Sequence, residues 1–223
     1  MIFIMNFKKI KSQVIKEIGE SIISEGFLYN KSREQFEQGL PGGVGSAQIQ
    51  HLDYGPQIIL LIWWAVRIER MAAIFNTIAE KDEEFFEGTH VFSNGLGTLI
   101  DYVDNGNRKT NADNKRYLIT NEEEVPNVVA EAVGDIRKYI IPYFAQNNSV
   151  ERANELLNYN PTEHPSVHNV TYPDRIMMGL IAAKLTHNPE YDRLVSIYNP
   201  EMEEVADNAK REYAKLKVLL SRM

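Results

Sequence analysis

His51, Asp53 and Arg67 are the residues whose types and spacing come closest to a catalytic set. His51 and Asp53 are two residues apart, so in an extended segment they share one face and could form a hydrogen-bonded pair. With Arg67 they would make a site for a hydrolase or a transferase at the edge of a sheet. Catalysis also needs a nucleophile or a substrate pocket, and the sequence places neither. We therefore favour the alternative that His51 is simply oriented within the sheet.

Two other motifs have the outline of a binding site but lack essential parts. The glycine-rich segment Pro41–Ser46 has no lysine after its last glycine, as a phosphate-binding loop requires, and we predict a loop there. His164 and His168 have the spacing of metal ligands on one helix face, but Pro165 between them favours a loop. No third ligand is evident nearby. We predict no catalytic residue, no metal site and no cofactor.

These residues depend for their positions on the most apolar stretch of the chain, Pro56–Ile68. Nine consecutive residues within it, Ile58–Val66, carry no charged or polar side chain except the indole N–H groups. The stretch is too short to cross a bilayer as a helix, which takes about 20 residues. Its β-branched and aromatic residues are typical of a central β-strand that is covered on both faces.

The two faces of this predicted strand differ in polarity. One face is wholly apolar and suits the core, and it comprises Ile58, Leu60, Ile62, Trp64, Val66 and Ile68. The other is apolar in the middle and polar at both ends, and it comprises Gln57, Ile59, Leu61, Trp63, Ala65 and Arg67. If no helix covers the second face, a tryptophan-centred patch stays open, as at ligand grooves and protein interfaces. Burial of that face under helices is the alternative that the sequence favours.

The rest of the chain predicts an α+β fold. Apolar spacing indicates an amphipathic helix from Asn6 to about Glu25, followed by one or two exposed strands within Phe27–Gln38. Strands this close in sequence pair as antiparallel hairpins. Arg116–Ile119 is predicted as an edge strand. The prediction is a small antiparallel sheet flanked by helices.

After Thr120 the pattern becomes helical to the end of the chain. Pro142 is expected to end or kink one helix, and Asn199–Pro200 has the form of a helix start. The last helix is predicted over Met202–Leu220, where apolar residues recur every three to four positions. We predict a single α+β domain over residues 1–223, with a sheet-bearing half of about 1–120 and an all-helical half of about 121–223.

Composition limits the function classes. The 223 residues include no cysteine and carry a formal net charge of −7, which disfavours nucleic acid as a partner and excludes thiol chemistry. The amino terminus lacks the apolar core and cleavage site of a signal peptide. We therefore expect a cytoplasmic protein without a membrane association.

Three segments together resemble a group of uncharacterised bacterial proteins. They are GFLYNKSREQF at 26–36, WWAVRIERMAAIFN at 63–76 and KYIIPYF at 138–144. The group is similar to domain-of-unknown-function families that open with a helix and a strand of this first type, and some relatives are thought to act as interaction or toxin-immunity proteins. The resemblance covers about the first 145 residues and implies a binding role without assigning functional residues.

The sequence thus predicts a non-enzymatic protein-binding module of an immunity-like or regulatory kind. An acidic surface favours a basic partner, and such binding weakens as salt rises. The binding surface is expected on the strand face or in the helical half. The candidate binding residues are Ile59, Leu61, Trp63, Arg67 and His51.

Overall fold

The computed structural model describes residues 6–108, 114–162, 167–169 and 171–223. Helix α1 (Phe7–Ile22) begins where the Asn6 side chain accepts a hydrogen bond from the Lys9 N–H at 3.1 Å. It ends in a 3₁₀ turn before Gly26, whose φ of +86° suits a residue without a side chain. The buried residues recur every four positions, and they are Ile10, Val14, Ile18 and Ile22.

The α+β prediction is confirmed. The described strands form one antiparallel sheet in the order β1-β2-β3-β4-β5, and β6 pairs with β4 beyond the end of β5. The strand bounds are β1 (Phe27–Asn30), β2 (Gln35–Leu40), β3 (Gly43–Asp53), β4 (Ile58–Ile68), β5 (Phe92–Gly95) and β6 (Arg116–Ile119). The predicted central strand is therefore correct, because β4 contacts three other strands.

The prediction of a loop over Pro41–Ser46 is correct for the turn at Pro41 and Gly42 and wrong for Gly43–Ser46. Strand β2 runs to Leu40 and β3 begins at Gly43, so only two residues connect them. A Cβ atom on Gly43 would lie 1.8 Å from the Arg67 carbonyl oxygen, and one on Gly45 would lie 2.3 Å from the Phe144 ring. These glycines allow the Arg67 main chain and the Phe144 ring to approach the strand closely. Their cluster in the sequence resembles a turn, because the sequence does not show these distant contacts.

The helical second half is confirmed. The helices after α1 are α2 (Glu69–Asn76), α3 (Leu96–Asn105), α4 (Val125–Asp135), α5 (Ile141–Gln146), α6 (Val150–Leu157), α7 (Asp174–Leu185), α8 (Tyr191–Met202) and α9 (Asp207–Ser221). A π-helical segment, Ile136–Ile140, joins α4 to α5 just before Pro142. Proline cannot donate the helical hydrogen bond, and the wider π turn accommodates it without ending the helix.

The core lies between one face of the sheet and the helices. Trp64 on β4 is 2% exposed, and its ring centroid lies 4.5 Å from that of Tyr143 in α5. The Trp64 Nε1–H donates to the Gly95 carbonyl oxygen at 3.3 Å, so the buried indole is satisfied. Buried apolar residues of the sheet and of the second-half helices belong to one hydrophobic core.

Candidate functional site: the open face of the sheet

The strand register separates the two faces of the sheet. Strands β3 and β4 pair without interruption from Gly43 opposite Ile68 to Asp53 opposite Ile58. Because side chains alternate along a strand, Ile59, Leu61, Trp63, Ala65 and Arg67 and the residues opposite them share the face away from the core. We call this face, with those β4 residues, the open face.

The sequence favoured burial of the open face under helices, and this expectation is wrong at its centre. Trp63 is 37% exposed, and Leu28 on β1 and Leu118 on β6 are also exposed on this face. The Trp63 Nε1–H donates to the Gln50 side-chain oxygen at 2.9 Å, which fixes the indole across the strand pair. The tryptophan is therefore both accessible and held in one orientation.

One half of the open face is apolar. Leu52 lies opposite Ile59, and Ile59 lies opposite Leu118, so three strands contribute to one cross-strand row. Ile59 itself is buried at 9% exposure, whereas Leu118 is exposed, and along β4 Leu61 is half-buried and Trp63 is 37% exposed. We call these five residues the tryptophan patch.

The other half of the open face contains a polar cleft of about 430 Å³. We call it the arginine cleft, and it is lined by Asn30, Arg33, Gln35, Glu37, Val44, Ser46, Arg67, Glu69, Glu87 and His90. Its floor comes from β2, β3 and β4. One wall comes from the segment after α2, which contains a 3₁₀ helix, Glu83–Gly88.

Two arginines brace that wall. The Arg67 guanidinium donates to the Phe86 carbonyl oxygen at 2.5 Å and to that of Thr89 at 3.3 Å. It also pairs with Glu69 through Nε at 2.8 Å and Nη2 at 3.0 Å. Arg33 donates to the Glu87 carbonyl oxygen at 3.2 Å and pairs with the Glu87 carboxylate. The wall is thus fixed to the sheet by charge-assisted hydrogen bonds.

His90 lies between this wall and the sheet. Its Nδ1 atom is buried and has no hydrogen-bond partner among the described residues. Burial, and after it the positive charges of Arg67 and Arg33, lower the pKa of His90 to about 4. The imidazole is therefore neutral near pH 7, when one ring nitrogen can accept a hydrogen bond.

The wall also carries an exposed acidic loop, which we define as residues 82–87. Asp82, Glu83 and Glu84 are exposed and form no ion pair within the described part of the chain. Phe85 among them is 57% exposed. An aromatic ring and several unpaired carboxylates thus stand beside the arginine cleft.

The three residues considered as a catalytic set do not come together in the structure. His51 lies opposite Leu60 on the core face, whereas Arg67 lies on the open face, so the two side chains point to opposite sides of the sheet. The Asp53 carboxylate accepts from the Gly55 N–H at 2.8 Å in the following turn, and within the described residues it forms no hydrogen bond with the His51 ring. His51, Asp53 and Arg67 therefore do not form one site.

His51 also departs from the predicted binding set. Ile59, Leu61, Trp63 and Arg67 share the open face, but the His51 ring packs edge-on against Phe7 at 6.4 Å between centroids. Both ring nitrogens are buried without a hydrogen-bond partner among the described residues. Burial lowers the pKa of His51 to about 4. His51 also lines a cavity of about 580 Å³ together with Gln48, Gln50 and Trp63, and its assignment as a binding residue stays a prediction.

The described residues contain no group of three or more His, Asp or Glu side chains arranged to hold a metal ion. His164, one of the two histidines considered as metal ligands, lies outside the described residues. His168 is buried, and its Nδ1 lies 2.8 Å from the Tyr143 hydroxyl. Within the described ranges, no helix combines the length and the apolar character needed to cross a membrane.

Sequence reasoning missed the arginine cleft. Gln35 and Glu37 alternate along β2 and so share a face, which is the one signal the sequence offered. Glu87 and His90 come from a segment without periodicity, and only the fold brings them beside β2.

Comparison with known proteins gives no matching family model, no similar curated protein and no similar solved structure. The resemblance to bacterial families of unknown function stays a prediction. Any assignment of function therefore has to come from the geometry of the open face.

Proposed function

We propose that the chain is a non-enzymatic protein-binding module that engages a basic protein through the open face of its sheet. The observation that supports this most directly is the exposure of Trp63 at 37% on a strand whose next residue, Trp64, is 2% exposed. An exposed indole held by a hydrogen bond loses little conformational freedom on binding. Tryptophan is among the residues that contribute most to binding energy at interfaces.

The surroundings of Trp63 have the anatomy of an interface. The tryptophan patch supplies an apolar centre, and exposed polar side chains border it at Gln48, Gln50 and Arg116. An apolar centre inside a polar rim is the common arrangement of protein interfaces. The floor is rigid because β3 and β4 pair over 11 consecutive positions.

Charge supports a basic partner. The chain has a net charge of −7, and the acidic loop places unpaired carboxylates beside the open face. Carboxylates at the rim of an interface accelerate association with a basic protein and make it sensitive to salt. The same charge repels nucleic acid. A regulatory or immunity-like role in a bacterial cytoplasm fits this surface and the resemblance of three segments to bacterial proteins.

Site-specific photocrosslinking in the native host tests the proposal. A benzoylphenylalanine at Gln50 or Leu118 is expected to crosslink one defined protein, whereas the same group at exposed Val218 on α9 is not. The crosslinked protein is then purified and titrated into wild type and Trp63→Ala. Weakening by about 30-fold or more is expected for a tryptophan hot spot. Crosslinks from Val218 alone, or equal affinity for both proteins, would contradict the proposal.

A further inference from the structure

The charges in the arginine cleft do not balance. Two arginines and three glutamates line it, and each arginine has its own glutamate at the rim. Arg67 pairs with Glu69, whose side chain is 56% exposed, and Arg33 pairs with Glu87, whose side chain is 80% exposed. The third carboxylate, Glu37, lies on the floor and shares Arg33 with Glu87, so the cleft has one negative charge in excess.

Glu37 is held in place mainly by neutral groups. Asn30 Nδ2 donates to both of its carboxylate oxygens at 3.1 Å, and Gln35 Nε2 donates to one of them at 2.8 Å. Arg33 Nη1 approaches only to 3.5 Å, and the Glu37 side chain is 25% exposed. The amide donors orient the carboxylate, and Arg33, which also pairs with Glu87, neutralises it only in part, so the floor keeps the capacity to bind a cation.

Further hydrogen-bond acceptors surround this carboxylate. Ser46 lies directly opposite Glu37 on the neighbouring strand and lines the same cleft. The neutral imidazole of His90 contributes a buried Nδ1 that has no partner in the described part of the chain. A carboxylate, a hydroxyl and an imidazole nitrogen can together accept several N–H bonds from one group.

Bracing of the acidic loop explains only part of the cleft. That structural role accounts for Arg33 and Arg67, whose guanidinium groups donate to carbonyl oxygens of the wall. It leaves the Glu37 carboxylate, which faces the cleft from the strand side, with only a share of the Arg33 charge. The surplus carboxylate and the unpartnered imidazole nitrogen need another explanation.

We propose that the arginine cleft binds one guanidinium or ammonium group, presented by an arginine or lysine side chain of the partner protein. This inference rests on the proposed function and gives the open face two contacts with different chemistry. The tryptophan patch packs against apolar partner surface, and Glu37 with Ser46 and His90 receives a cationic side chain. A small free amine has the same chemistry, and the experiment separates the two sources.

The test is an NMR titration of the ¹⁵N-labelled protein with N-acetyl-arginine amide, which presents a guanidinium without a carboxylate. Saturable shifts are expected at the Asn30 and Gln35 side-chain amides. The matched uncharged ligand, N-acetyl-citrulline amide, is expected to produce none. If sodium phosphate shifts these amides and the arginine derivative does not, the cleft is an anion site and the proposal is overturned.

Substitutions in the arginine cleft and in the tryptophan patch test cation binding and partner binding separately. Glu37→Gln is expected to weaken the arginine derivative by about tenfold or more, because a bond to a charged group is lost. If that variant does not fold, Glu37→Asp is used instead. It keeps the negative charge but places the carboxylate one methylene farther from the ligand. Unchanged affinity in the folded variant would overturn the proposal. Trp63→Ala is expected to leave the affinity for the arginine derivative unchanged. Cation binding in the arginine cleft can therefore be confirmed even if the tryptophan patch binds no partner.

Putrescine distinguishes the source of the cation. Putrescine carries two ammonium groups, whereas a lysine or arginine side chain carries one positive charge. If the cleft is built for one side-chain cation, putrescine is expected to bind no more tightly than the arginine derivative. If putrescine binds tenfold more tightly, the cleft serves a free amine, and the assignment to a partner side chain is overturned.

Discussion

Trp63 and Trp64 are adjacent on one strand and have opposite environments. Trp64 packs among α5 and the core face and is 2% exposed, whereas Trp63 is 37% exposed on the open face. Both indoles donate a hydrogen bond, one to a main-chain oxygen and the other to Gln50. The alternation of the strand therefore places two identical side chains in a buried position and in an accessible one, and the accessible one is where we propose binding.

The two faces differ in burial, because the described helices form one hydrophobic core with the core face and leave Trp63 on the other face partly exposed. On the core face, Leu60, Ile62 and Val66 are fully buried. On the open face, Ile59 and Ala65 are buried, but Trp63 and Leu118 stay exposed, and the charged cleft lies beside them. A contiguous exposed apolar patch with a polar border is typical of an interaction site.

The largest expected effect is the loss of Trp64. Trp64→Ala should lower the free energy of unfolding by about 3–5 kcal/mol, because a large buried side chain leaves a cavity. Trp63→Ala should lower it by about 1 kcal/mol or less, since the indole is partly in water. Urea denaturation of both variants measures the difference. Equal losses would show that the two faces are not as different as their burial indicates.

Glycine substitutions extend the comparison to other strands. Gly45→Ala on the core face should destabilise the fold by about 1–3 kcal/mol, because its Cβ would lie 2.3 Å from the Phe144 ring. Gly39→Ala is the matched control on the open face, where a Cβ meets nothing within 4 Å. Thermal unfolding should leave the control unchanged or slightly more stable. A destabilised Gly39→Ala would mean that the open face is covered.

Lowering the pH should destabilise the fold through protonation of His51 on the core face. Burial lowers its folded pKa to about 4 from an ordinary value of 6.5. Between these values the unfolded chain binds more protons than the folded chain, so the free energy of unfolding falls as pH falls from 6.5 to about 4. His51→Gln should reduce this slope in urea midpoints measured at pH 7 and pH 5. The exposed His187, changed to Asn, is the control, and an equal reduction there would exclude burial of His51 as the cause.

The sequence predicted those features that depend on local periodicity. The strand β4, its two faces, the first helix and the strand at Arg116–Ile119 all follow from alternation or helical spacing. The strand glycines were misassigned because Gly43 and Gly45 are explained by contacts with Arg67 and Phe144, which are distant in sequence. Such contacts leave no local pattern.

Periodicity also failed at the carboxyl-terminal end. Apolar spacing predicted one helix over Met202–Leu220, but Met202 ends α8 and α9 begins at Asp207. The predicted helix start at Asn199–Pro200 is wrong as well. The Asn199 side chain instead accepts hydrogen bonds from Tyr213 at 3.1 Å and Lys217 at 3.0 Å, both in α9. A buried stripe can thus continue across a break between two helices that share one core.

The affinity of Trp63→Ala for the purified crosslinked partner is the most direct test of the open face as a binding surface. Calorimetric titrations at two salt concentrations would compare wild type, Trp63→Ala and the control Val218→Ala. We expect about 30-fold weaker binding for Trp63→Ala, no change for Val218→Ala, and weaker binding of all three at higher salt. Equal dissociation constants for wild type and a folded Trp63→Ala would contradict the assignment of this face.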